Sequence, residues 1–251
     1  MIANDQRPVL PAAQTNLRLY RQLHDGGYAP ADLLRVRDGY ELATALFAGQ
    51  FRGSGKPFVA HLVGTASILA AVDAPPAVVV AGLVHAAYEQ GDFGIARGRT
   101  RRARVRAAIG DPAEALVWRY QTMPWTPADV RRLQADPAAL TGPDRAVALM
   151  RLANELDDNL DFAMVHAHAA KDAFRDCRDG IVTLAQSIGG PRLADAFRAT
   201  YGEDGEGAWA APLSLGRPFS YQLASSFGLG LLRPALKARR LAARLARKAG
   251  L

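Results

Sequence analysis

The chain has 251 residues, 49% of them hydrophobic, a formal net charge of +7 and one cysteine. That length and apolar content suffice for one large core or two small ones, and the lone Cys177 excludes an internal disulfide and a thiolate metal cluster. No uncharged apolar stretch reaches the ~18 residues of a spanning helix, and MIANDQRPVLPAAQ lacks the basic and apolar regions of a signal peptide, so a cytoplasmic location is expected. The charge is local. Residues 231–251 carry Arg233, Lys237, Arg239, Arg240, Arg244, Arg247 and Lys248 with no acid, leaving 24 basic against 24 acidic residues elsewhere. A neutral body argues against specific nucleic-acid binding, which places its basic patch on the folded domain.

In chain order, residues 15–24 have helical periodicity, stopped by Gly26 and Gly27. Residues 31–48 form a longer helical stretch, and the glycines and proline of Arg52–Pro57 break any regular element. Residues 58–72 read as a buried helix. Residues 77–89 are nearly all apolar, and their length and leading prolines favour a helix over a strand. Residues 91–103, rich in glycine and arginine, read as a loop. A helix is expected to begin near Asp111-Pro112, with Asp111 as its N-cap. Residues 122–143 hold four prolines and a short helical piece, 144–162 form a strong amphipathic helix, and 163–199 supply one or two more. Residues 202–220 look like a connector. The fold expected is all-α, a helical body over 1–201 with its core near 40–165, followed by a basic amphipathic helix within 221–251.

Several polar residues sit where helix cores should be apolar. His61 lies in FVAHLVGT, while His85 and Glu89 are four apart, on one face of a single helix. Asn154, Glu155, Asp157 and Asp158 follow Leu152-Ala153. Burying an imidazole or carboxylate costs several kcal/mol unless it is paired or binds something. Each alone is best read as a satisfied core residue, but together they point to a site.

The run Gln50-Phe-Arg52-Gly-Ser-Gly-Lys56-Pro-Phe58-Val-Ala-His61 resembles the start of the hydrolase domain of RelA/SpoT-type alarmone enzymes, Gln-x-Arg-Lys-Ser-Gly-Glu-Pro-Tyr-x-x-His-Pro. His85 stands where that family has the His of its His-Asp pair, and Leu152-Ala153-Asn154-Glu155-Leu156-Asp157-Asp158 aligns with Leu-Ala-Asp-Arg-Leu-His-Asn. A second HD-like family is similar in its His-x-x-Gly-Thr and Gly-Leu-x-His-x-x-Tyr runs, here His61 to Thr65 and Gly82 to Tyr88. The resemblance implies an HD-domain-like helical bundle with a metal at the first and second histidines. The departures weaken that metal. The pair's aspartate is Ala86, the last aspartate is Asn154, and the catalytic Glu-Asp pair is Glu89-Gln90. Two histidines and an amide are a poor set for Mn²⁺ or Mg²⁺. No cofactor is therefore expected, with a divalent ion on His61 and His85 as the weaker alternative.

Three functional readings stay open, the third a membrane-associated adaptor that uses the basic tail with the HD-like body as scaffold. In the first, the chain is an enzyme acting on a small anionic or phosphorylated metabolite, with His61, His85 and Glu89 in acid–base roles. Arg52, Lys56, Asn154 and Tyr88 would then bind the ligand, although Tyr88 points about 100° away from Glu89 on a helix. In the second, it is a catalytically inactive HD-like ligand-binding or regulatory protein. The arginines from Arg97 to Arg106 would cover a phosphate or form a solvated loop. Trp118, Tyr120 and Trp125 are expected in the core, and His24, His166 and His168 are structural or surface residues. The tail at 231–251 would touch an anionic membrane surface, pack on the body, or join two copies into a homo-oligomer.

Overall fold

The computed structural model describes residues 10, 12–52, 56–94, 98–160 and 174–202. All belong to the first of the two units, Met1–Phe219 and Ser220–Leu251, into which the chain divides. The connector, the basic tail, Arg97, His166 and His168 lie outside the described residues. Every regular element among those described is helical, and no helix among them is long and apolar enough to cross a membrane.

Helix α1 (Asn16–Asp25) is capped by the Thr15 side chain, buries Leu19 and Leu23, and ends at Gly26, before Gly27 turns the chain with φ +76°. Helix α2 (Pro30–Phe47) opens on proline, whose missing amide costs nothing in a first turn. The loop after it closes on itself. Phe51 bridges Pro57, and Arg52 N donates to Lys56 O at 2.8 Å, so two basic side chains leave one short turn. Helix α3 (Phe58–Ala71) is buried along most of its length and packs against α4 (Pro76–Leu83) and α9 (Gly142–Leu160). It is the central helix of the site.

Residues 77–89 do not form one helix. Helix α4 stops at Leu83, and a single turn, α5 (Ala87–Gln90), follows Val84–Ala86. His85 causes the break locally. Its Nδ1 donates to Gly82 O at 2.8 Å, taking the acceptor that the Ala86 amide would use in a continuing helix. His85 and Glu89 therefore do not share a helical face.

The arginine-rich segment is not a loop beyond Gly98. Arginine and alanine are good helix formers, and α6 (Arg99–Ile109) buries Val105 and Ile109, with Arg101 and Arg102 half-buried. Gly110, at φ +83°, caps α7 (Asp111–Thr122), so Asp111 is its first residue rather than its cap. Thr126 and Asp129 form a reciprocal capping box for α8 (Pro127–Ala135). Helices α10 (Arg178–Gly189) and α11 (Pro191–Gly202) pack on each other and on α9. Tyr120 is in the core as expected and Trp125 is half-buried, but Trp118 is 39% exposed, with the Arg102 guanidinium 4.5 Å from its ring centroid.

Candidate functional site

Helices α3 and α9 face each other through polar side chains. His61 is fully buried. Its Nδ1 lies 2.7 Å from Asp157 Oδ2 and its Nε2 3.0 Å from Asn154 Oδ1. Asn154, Asp157 and Asp158 stand at i, i+3 and i+4, so one face of α9 carries all three. Asp157 also accepts from Lys56 Nζ, at 3.0 Å to one oxygen and 2.9 Å to the other. Arg52 Nη2 pairs with Asp158 Oδ2. The closed loop thus delivers one cation to each aspartate.

Asp157 has a seat in the backbone of α3. A Cβ at Gly64 would fall directly on Asp157 Oδ1, so glycine is needed there for space. Burial raises the Asp157 carboxyl above its ordinary 3.8, while Lys56 and Gln14 oppose the rise. His61 is lowered from 6.5 to about 3, by burial first and by the positive charge of Arg52 second. The ring is therefore neutral. Its two nitrogens each face an oxygen, Asp157 Oδ2 and Asn154 Oδ1, and a neutral ring has one N–H, so it donates to only one of them.

His85 lies edge-on to His61, with ring centroids 5.4 Å apart. Burial, then the neighbouring His61, pushes it well below 6.5. Its ring leans on Tyr120 at 4.9 Å, and the Arg151 guanidinium covers the Tyr120 ring at 3.6 Å. Asn154, Arg52 and Asp158 are the partly exposed members of the cluster. They form its outer, polar edge, the mouth side, with His61, Asp157 and His85 buried as its floor.

Two expected site residues are elsewhere. Glu89 is exposed on α5, because the break at His85 swings it away, so the His61–His85–Glu89 acid–base set is not assembled. The Tyr88 hydroxyl donates to Glu114 at 2.6 Å. Glu114 is 1% exposed and also accepts from Arg102 at 2.6 and 2.8 Å and from Arg106 at 3.3 Å, which staples α5 and α6 to α7. Sequence reasoning missed Tyr120 and Arg151 as neighbours of His85; an aromatic or an arginine inside an amphipathic helix carries no local signal of that role.

His61, Asp157 and Asp158 offer three metal-ligand atoms within 4.8 Å of one another. The donors are already engaged, however. The 2.7 Å between Nδ1 and Oδ2 is a hydrogen-bond length, shorter than the roughly 3.3 Å between neighbouring ligands of a tetrahedral ion, and Lys56 holds both oxygens of Asp157. As arranged, these groups are held by protein partners, which an ion would have to displace.

A model of a domain of unknown function, DUF6817, matches residues 42–124. Two GTP pyrophosphokinases, from Streptomyces coelicolor and Streptomyces antibioticus, are each 32% identical over 93 residues, 37% of this chain but 10% and 11% of theirs. The chain thus spans about a tenth of the length of these curated relatives. Among solved structures, that of a metazoan ortholog of SpoT, described as hydrolysing ppGpp, superposes with a TM-score of 0.50 at 19% identity, over 71% of this chain and 98% of that one. The likeness extends well beyond the matched segment, and what it shows is architecture: the chain has an all-α, HD-domain-like fold.

Proposed function

We propose that the chain is an HD-like ligand-binding domain that recognises a phosphorylated, nucleotide-like small molecule at the Arg52–Asn154–Asp158 mouth and does not hydrolyse it. The observation that carries this reading is the packing of His61 and Asp157 against protein groups. Both nitrogens of His61 lie within 3.0 Å of a protein oxygen and Lys56 bonds both oxygens of Asp157, which opposes their use in activating water. An imidazole lowered to about 3 is also far from the pKa near 7 that general acid–base catalysis favours. The likeness to GTP pyrophosphokinases and to a ppGpp hydrolase supports the ligand class. Arg52 supplies the cation for it, exchanging the Asp158 carboxylate for a phosphate oxygen.

Isothermal titration of GTP and ppGpp in EDTA, paired with chromatographic analysis of the ligand afterwards, tests this. The expected result is binding without product, weakened about tenfold or more in Arg52→Ala, since a charge-assisted hydrogen bond is worth about 1.5–3 kcal/mol. Absence of binding by either nucleotide would overturn the reading.

A second reading keeps an enzyme. His85 donates its Nδ1–H to Gly82 O, so the Nε2 of the neutral ring is a proton acceptor. This reading predicts turnover that is lost in His85→Ala while the chain stays folded.

A further inference from the structure

We propose that Lys56 is the resident cation of the buried centre, and that it excludes a divalent ion from His61, Asp157 and Asp158. This inference rests on side-chain geometry alone and is independent of the ligand reading.

The centre carries two carboxylates, one of them fully buried, and buried carboxylates must be paired or coordinate a metal. Here each has its own cation. The Lys56 ammonium bonds both oxygens of Asp157, with the lysine side chain itself only 9% exposed, and Arg52 takes Asp158. The formal charges cancel without an ion. An incoming Zn²⁺ or Mn²⁺ would have to displace from Asp157 an ammonium that has little access to water.

Asp157 cannot escape the competition by moving. Its Oδ1 occupies the space at Gly64 and its Oδ2 holds His61. Without the ammonium, the buried carboxylate would lose the cation that bonds both its oxygens. His61, Asp157 and Asp158 would then offer three ligand atoms within 4.8 Å with one positive charge fewer beside them, which favours a cation.

The experiment compares the full chain with Lys56→Met, which keeps the apolar stem, and Lys56→Arg, which keeps the charge. Melting temperature is recorded in EDTA, Zn²⁺ or Mn²⁺, and bound metal is counted by mass spectrometry after desalting. The full chain and Lys56→Arg are expected to melt at the same temperature in EDTA and in either ion, and to retain no metal. Lys56→Met is expected to be destabilised in EDTA, to gain about 5–10 °C with Zn²⁺ or Mn²⁺, and to retain about one ion per chain. Adding Asp157→Asn to Lys56→Met should abolish that gain. Near-stoichiometric metal in the full chain would overturn the proposal. So would a Lys56→Met chain that neither ion stabilises, including one that stays unfolded in their presence.

Discussion

Two glycines inside helices separate the contribution of the buried centre from ordinary helix propensity. Gly39 of α2 and Gly64 of α3 are both buried and helical, and alanine at either should gain about 1 kcal/mol of helix propensity. At Gly39 the new methyl would meet Ile109 and Val80 at 3.4 Å, an ordinary contact, so Gly39→Ala should be neutral or slightly stabilising. At Gly64 it would land on Asp157 Oδ1, and the carboxylate would have to leave Lys56 or His61. Breaking a buried ion pair from one side costs about 3–5 kcal/mol, so Gly64→Ala should lose about 2–4 kcal/mol net. For a chain of this size that lowers Tm by roughly 5–15 °C. Urea denaturation of both variants, followed by circular dichroism, measures the difference. Equal stability of the two would refute the placement of Asp157 on α3, and with it the geometry proposed for the centre.

Other outcomes follow from the same structure. The unfolded imidazole of His61 binds its proton near 6.5, while the folded ring stays neutral down to about 3. Its contribution to stability is therefore complete above 6.5 and falls as pH drops through that window, by about 1.4 kcal/mol per pH unit. Denaturation midpoints should decline between pH 6.5 and 5, less steeply in His61→Asn, and a flat profile would count against a buried neutral ring. Burial alone would raise the Glu114 carboxyl, but hydrogen bonds from Arg102 and Tyr88 outweigh it and hold the group below 4.5. Tyr88→Phe should accordingly cost about 1 kcal/mol in a urea titration without affecting nucleotide binding. Thr126→Ala removes the capping box of α8 and should cost about 1 kcal/mol.

Much of the fold was legible because it is written in periodicity. Apolar residues at helical spacing, with proline at the starts and glycine at the stops, gave α1, α2, α3 and α9 nearly to the residue. The misreadings come from side-chain bonds that periodicity does not carry. Nothing around His85 announces that its ring will take the Gly82 carbonyl and end α4, so Glu89 was placed on the wrong face. Nothing in RTRRARVRAAI announces Glu114, whose carboxylate docks the arginines and makes the segment a packed helix. His61, Asn154 and the Asp157–Asp158 pair were visible as polar residues in apolar surroundings. That Lys56 and Arg52 pair with those aspartates required knowing that Phe51 bridges Pro57.

The central claim is a polar centre that balances its own charge and holds a nucleotide-like ligand without cleaving it. The most direct measurement is the loss of ppGpp, followed by anion-exchange chromatography, on incubation with the full chain with and without added Mn²⁺. The account predicts no loss above a protein-free control in either condition. Mn²⁺-dependent loss that disappears in His61→Ala would contradict it, and would mean that the centre opens to a metal despite Lys56.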